Sequence, residues 1–220
     1  MQITNDIYLV GSDQFGLSYA LDCNCYLIDG GGQLALIDTG LGLGVRDICS
    51  QISAHGFDLK SLDKIIITHS HLGHYGGADE LRELTGAKVW APELAAEIMT
   101  TLEEPAIKIG FKFNRYPDGF RPRACKPDEI IRDGDLIPVG KFQLSAIQLR
   151  GHTVDSTCYL LEIDGERALF TGDTVFYAGK LGLINVETCS MAHYREDIYK
   201  LRDLAITQLF PAHGVFVLRG

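Results

Sequence analysis

The segment Thr68-His69-Ser70-His71-Leu72-Gly73-His74 carries three imidazoles and directly follows the apolar run Ile65-Ile66-Ile67. A strand that ends in His-x-His brings two neutral nitrogen donors near one point. A third follows one helical turn later. Such a donor set suits a metal ion, with zinc or iron the natural occupant. Gly73, between His71 and His74, has no side chain with which to add a donor.

Other polar residues sit at comparable places. Gly151-His152-Thr153 follows the apolar run Phe142–Leu149, Thr171-Gly172-Asp173 follows Ala168-Leu169-Phe170, and His213 follows Leu209-Phe210. A strand end fixes a side chain while the loop beyond it leaves that side chain accessible, so active sites gather there. Five of the seven histidines occupy such positions. Unrelated core or surface histidines have no reason to do so.

Taken in order, Asp38-Thr39-Gly40, the segment from Thr68 to Gly77, Gly151-His152-Thr153, Thr171-Gly172-Asp173-Thr174 and Ala212-His213-Gly214 resemble the metallo-β-lactamase fold superfamily. The resemblance covers about residues 5 to 215. It implies an α/β fold, an αβ/βα four-layer sandwich with the metal site along one edge of the sheets. It also implies a hydrolase with zinc as cofactor, one or two ions, or iron or manganese in its place. On this resemblance His69, His71 and His152 match the ligands of a first metal. His74 and His213 match those of a second, and Asp173 matches the carboxylate bridging both. Asp173 and His74 are the expected catalytic residues. Asp38 is expected behind the site, orienting a ligand histidine.

The expected reaction is attack of metal-bound hydroxide on an ester, thioester, lactone or amide carbonyl of a small substrate. Gly73 departs from the family, which places Asp there as a ligand of the second metal. A weakened two-metal site, a single-metal site and a catalytically impaired binding protein therefore all remain open. A single-iron sulfur or oxygen redox enzyme of the same fold is a further alternative. Val154-Asp155 also replaces the usual Pro-Gly after Gly-His-Thr.

The elements that must position these residues are legible from pattern. Ile7–Val10, Cys25–Ile28 and Leu34–Ile37 read as strands, with the last two joined by a Gly-rich turn. A helix is expected over Val45–His55, then a strand over Ile65–Thr68 and a helix over Ala78–Leu84 closed by Gly86. Lys88-Val89-Trp90 reads as a strand, and Pro92 as the start of a helix toward Leu102. Strands return at Phe142–Leu149, Cys158–Ile163, Ala168–Phe170 and Leu209–Phe210. A helix is expected over Tyr194–Leu204. The chain reads as one domain, 1–220, with an irregular insertion at about 103–128.

The insertion carries Lys108, Lys112, Arg115, Arg121, Arg123 and Lys126 against Asp118, interleaved with Phe111, Phe113, Tyr116 and Phe120. That excess of positive charge would suit an anionic substrate, which makes Arg115 and Tyr116 candidate substrate contacts. The resemblance implies that the region before the last helix lies near the pocket, so His193 and Tyr194 are candidates too. The formal charge of −9 argues against nucleic acid or an anionic membrane as partner. A small-molecule substrate is the expected partner, and a homodimer is left open. The N-terminus shows no secretory signal and no apolar run reaches the roughly 20 residues of a membrane helix, so a cytoplasmic location is expected. True β-lactam resistance is disfavoured for want of an export signal, and a glutathione-thioester hydrolase for want of a C-terminal substrate region. The six scattered cysteines read as reduced thiols, Cys23 and Cys25 among them.

Overall fold

The computed structural model describes residues 1–103 and 116–218. Two mixed sheets face each other. The first holds six strands in sequence order: β1 (Ile7–Gly11), β2 (Cys25–Asp29), β3 (Leu34–Ile37), β4 (Leu62–Ile66), β5 (Lys88–Pro92) and β6 (Glu129–Ile131). Its first three strands form antiparallel pairs, and β3 through β6 run parallel. The second sheet has β7 (Leu136–Val139), β8 (Phe142–Gln148), β9 (Thr157–Ile163), β10 (Glu166–Gly172) and β11 (Gln208–Pro211), in spatial order β11-β10-β9-β8-β7. Only the β10–β11 pair is parallel there.

Side-chain alternation builds the layers. Along β3, Leu34 and Leu36 join one buried cluster while Ala35 and Ile37 join another. The second cluster is the inter-sheet core, where Ile7, Tyr26, Ile37 and Ile66 meet Leu144, Tyr159, Leu161, Phe170 and Phe210. The first lies under α1 (Val45–Ala54), α3 (Ala78–Thr85) and α4 (Glu93–Thr101), which contribute Ile48, Leu81 and Met99. On the far side, Leu160 and Leu169 pack with Tyr194 of α5 (Met191–Asp197) and with Ile198 and Leu201 of the 3-10 turn after it. Helices thus cover both outer faces, giving the αβ/βα sandwich. Because β3 is buried on both faces, its sequence Leu34-Ala35-Leu36-Ile37 is a continuous apolar run rather than an alternating one.

Several boundaries differ from the sequence reading. β4 stops at Ile66, and Thr68 lies beyond it because its N–H and hydroxyl both donate to Asp38 instead of to a neighbouring strand. Pro92 ends β5 and sits at the N-cap of α4 rather than inside it. α5 begins at Met191, three residues before the expected start, because the Ser190 side chain accepts the His193 N–H and caps it. It gives way to a 3-10 turn over Ile198–Leu201 and does not reach Leu204 as α-helix. β7 has only weak sequence signal, since it is four residues long with Pro138 inside. As the edge strand of its sheet it tolerates that missing N–H.

Candidate metal centre

Strand ends from both sheets meet at one edge of the sandwich. β4 leads into His69, His71 and α2 (Leu72–Tyr75), which carries His74. β8 leads to His152, β10 to Asp173 and β11 to His213. Two cross-links hold these ends in register: the Tyr159 hydroxyl donates to the Ile67 carbonyl at 2.6 Å, and the Thr157 N–H to the Thr68 carbonyl at 3.0 Å. Asn24, just before β2, fixes the β11 end. Its side-chain amide donates to the carbonyls of Pro211 and Gly214 at 3.0 and 3.1 Å, on either side of His213.

The first three imidazoles converge closely. His69 Nε2 lies 3.1 Å from His71 Nδ1, and His152 Nε2 lies 3.0 Å from the same atom. One ring nitrogen cannot satisfy both neighbours as a donor. For comparison, zinc at about 2.0–2.1 Å from tetrahedral nitrogens would hold them about 3.3 Å apart.

The hydrogen bonds behind the rings assign their tautomers. Thr68 Oγ1 donates to Asp38 Oδ2 at 2.8 Å, so it accepts the Nδ1–H of His69 at 3.0 Å. His152 Nδ1–H donates to the Gly182 carbonyl at 2.7 Å. His74 Nδ1–H donates to Asp38 Oδ2 at 2.8 Å. His69 and His152 therefore turn a lone pair on Nε2 into the cluster, and His74 turns its Nε2 toward Asp173. Asp38 thus contacts the His74 ring directly and, through Thr68, the His69 ring as well.

Asp173 Oδ2 stands at the centre of the wider group, 3.4 Å from His152 Nε2, 3.6 Å from His74 Nε2 and 3.7 Å from His213 Nε2. Asp173 Oδ1 is buried and has no hydrogen-bond partner among the described residues. His69, His71 and His152 form one set of donors close enough to share an ion, and His69, His74 and Asp173 form another. An orphaned carboxylate oxygen beside Nε2 lone pairs is a donor set that fits a cation and would be costly to bury without one.

Electrostatics agree with that fit. Burial, reinforced by the neighbouring imidazoles, pushes His69 well down. Burial and His152 push His71 down to about 3, and burial lowers His152 too. All three are thus neutral donors at neutral pH. At His74 burial works downward, but Cys23, Asp173 and Asp38 outweigh it and hold the ring well above the usual imidazole range. Burial pushes Asp173 upward, yet His74, His213 and His152 pull it below the ordinary carboxylate range, so it is ionised.

Gly73 is not required by the backbone. A Cβ built there meets only the Leu21 carbonyl oxygen, at 3.7 Å, an ordinary contact. Gly182 is the opposite case. A Cβ there would sit 1.7 Å from the Asp173 carbonyl oxygen and 3.1 Å from His152 Nδ1, so only glycine lets this strand of chain receive the His152 N–H. The sequence reading passed over Gly182, which lies in no recognisable motif. It also passed over Thr68 as the link between Asp38 and His69.

The expected substrate contacts divide. Tyr194 is buried against Gly151, and its hydroxyl donates to the Thr174 carbonyl at 3.0 Å, so it props the His152 loop rather than facing a substrate. His193 is half-buried, and its Nδ1 has no hydrogen-bond partner among the described residues. Tyr116 is half-buried, packs onto the helix-side core and stands 5.4 Å from the Phe120 ring. Arg115 lies outside the described residues, as do Lys108, Phe111, Lys112 and Phe113. Arg123 is paired with Asp79 and Glu83 of α3, which reduces the positive excess expected of this insertion.

No helix among the described residues is long and apolar enough to cross a membrane. In sequence, the chain is 30% identical over 207 residues to an atrochrysone carboxyl ACP thioesterase of Aspergillus chevalieri, covering 88% of this chain and 52% of that protein. It is 26% identical to the lactamase-like protein adaB of Aspergillus niger, covering 97% of this chain and 56% of that one. The chain thus spans about half the length of these curated relatives. In structure, it resembles a motif mutant of the metallo-beta-lactamase from Cronobacter sakazakii, with a TM-score of 0.77, 22% identity and coverage of 97% and 79% of the two chains. The class B3 di-zinc metallo-beta-lactamase LRA-12 from an Alaskan soil metagenome gives a TM-score of 0.72 at 24% identity, covering 96% and 77%. The family model of the metallo-beta-lactamase superfamily matches residues 18–213, and the chain belongs to that superfamily.

Proposed function

We propose that this chain is a metal-dependent hydrolase that cleaves the acyl C–S or C–O bond of a small thioester or ester, adding water to release an acid and a thiol or alcohol. The observation that carries the reading is the convergence of His69 Nε2, His71 Nδ1 and His152 Nε2 within 3.1 Å steps, beside an ionised Asp173. His69, His71 and His152 would hold one ion. His74, His213 and Asp173 would contribute to a second. Imidazole and carboxylate donors suit zinc, iron or manganese, and we take zinc as the resident metal. When bound, such an ion polarises the scissile carbonyl and lowers the pKa of water so that attack proceeds at neutral pH.

The chain's own residues supply position and protons. Asp38, Thr68 and the Gly182 carbonyl lock the tautomers of His74, His69 and His152, so no reorganisation is needed as the reaction proceeds. Asp173 Oδ1, with no protein hydrogen bond among the described residues, is free to receive a proton from the attacking water. The thioesterase named among the relatives supports a thioester as the scissile bond. Hydrolysis of a panel of acyl thioesters, oxoesters and lactones tests this. Turnover of a thioester or ester that is abolished by a chelator and restored by zinc is expected. Metal-loaded protein that turns over none of them overturns the reading.

A further inference from the structure

Two loops carry the first three imidazoles, and a carboxylate that belongs to neither donor set joins them. His69 and His71 follow β4 on one loop, and His152 lies on the loop between β8 and β9. Asp155, three residues after His152, is 3% exposed, and Ser70, between His69 and His71, is fully buried. The Ser70 hydroxyl donates to Asp155 Oδ1 at 3.1 Å, across 85 positions of sequence. The turn that holds Asp155 is itself tied down. Ser156 Oγ accepts the Thr153 N–H at 3.1 Å and lies 2.7 Å from the Thr153 hydroxyl, and the Asp155 carbonyl accepts the Thr157 hydroxyl at 3.0 Å. Asp155 Oδ2 is buried with no hydrogen-bond partner among the described residues. Burial pushes this carboxyl upward, against hydrogen bonds from Thr153 and Ser70. A buried oxygen left unpaired costs stability, and the glycine usual at this position of the family would avoid that cost. What the carboxylate supplies in return is the bond from Oδ1 to Ser70.

We propose that Asp155 is a positioning residue of the first donor set: by holding Ser70, it fixes where His71 meets His69 and His152. This rests on the reading that these three rings hold metal. His71 is the point of convergence, since both other rings approach its Nδ1. Its backbone is extended, with φ −77 and ψ 134, so the placement of the ring follows that of the residue before it. On the other side of His69, Thr68 is already fixed by Asp38 and by the Thr157 N–H. With Ser70 held as well, His69 lies between two pinned residues and His71 directly follows one. The spacing of the three nitrogens is then set before an ion arrives, which lowers the cost of assembling the site around it.

The test is calorimetric zinc titration of the metal-free full chain, with the visible absorption of the cobalt-loaded chain at one equivalent as a second readout. Ser70→Ala and Asp155→Ala should each weaken the first equivalent about tenfold and shift the cobalt bands. The double variant should lose no more than the larger single loss, because both changes remove one bond. Asp155→Asn, whose amide oxygen can still accept the Ser70 hydroxyl, should stay within about threefold of the parent and keep its cobalt spectrum. A role in stability alone would lower the urea midpoint and leave the first equivalent and the cobalt bands of the folded variants unchanged, and that result overturns the proposal. So do additive losses in the double variant, or an Asp155→Asn chain that binds as weakly as Asp155→Ala. If Asp155→Ala fails to fold, Ser70→Ala and Asp155→Asn decide by the same criteria. A parent chain that binds no metal overturns the histidine-cluster reading itself, whereas a metal-binding parent with unaffected variants overturns only the role of Asp155.

Discussion

His74 Nδ1 and Asp38 Oδ2 lie 2.8 Å apart, with the two side chains only 3% and 1% exposed. The same carboxylate accepts the Thr68 N–H and hydroxyl, and the hydroxyl in turn receives His69. One buried carboxylate therefore aims a histidine from each of the two donor sets. Its turn is built for this, since Asp38 has φ 58, a left-handed conformation that Asp tolerates better than most residues.

Asp38→Asn should weaken metal binding at both sets by about 10–100-fold. The amide nitrogen must face at least one of the donors that the carboxylate now accepts. Stability should fall by about 2–4 kcal/mol, because buried donors are left unpaired. Competition with a chromophoric chelator and urea unfolding of the metal-free protein measure the two effects. Metal affinity within twofold of the parent would show that Asp38 does not orient these rings.

Gly73→Asp should fold as the parent does, because a Cβ at 73 meets no atom closer than 3.7 Å. The added carboxylate should tighten the second metal equivalent at least tenfold, about 1.4 kcal/mol. Calorimetric titration of metal-free protein reads this directly. An unchanged second binding step would mean that position 73 does not face the second ion.

Gly151→Ala should lose stability by about 1–3 kcal/mol through overpacking, since its Cβ would fall 2.4 Å from the Tyr194 ring. The displaced loop carries His152, so affinity at the first metal set should fall too. Coupling identifies the cause: Tyr194→Leu in the same chain should recover part of the loss. Strictly additive losses in the double variant would place the strain elsewhere.

Asp197 accepts the Arg150 backbone N–H at 3.0 Å and its Nε at 2.7 Å, tying α5 to the loop that carries His152. Burial pushes Asp197 upward, but its hydrogen bonds from Arg150 outweigh this and hold it below the ordinary range. A carboxylate depressed in the folded state binds its proton more readily when unfolded. Its stabilisation is complete above its unfolded pKa of about 3.9 and fades as pH falls through the folded value. The stability gap between the parent and Arg150→Met should therefore be constant above about pH 4–5 and close below it. A gap that persists unchanged at pH 2–3 would assign Arg150 a packing role alone.

The candidate site was legible in the sequence because its donor residues sit at strand ends. There, an apolar run stops and a histidine or aspartate follows, as at Ile67 to His69 and Phe170 to Asp173. What supports those ligands was less legible. Gly182 acts through a backbone carbonyl, which no side-chain pattern announces. Thr68 read as the last residue of a strand, whereas its hydrogen bonds go to a carboxylate thirty positions away. Tyr194 read as a pocket residue because the family resemblance implies that its region lies near the pocket, but packing against Gly151 buries it. The helix after Ser190 was displaced because periodicity locates a helix face better than its ends, and here the cap decides the start.

The most direct measurement is the metal content of the full chain purified without chelators, compared with a His69→Ala/His152→Ala variant. The account predicts at least one transition-metal ion per chain in the parent, zinc foremost, and loss of it in the variant with the fold retained by circular dichroism. Less than about a tenth of an equivalent in the parent, not raised by added zinc, iron or manganese, would contradict it.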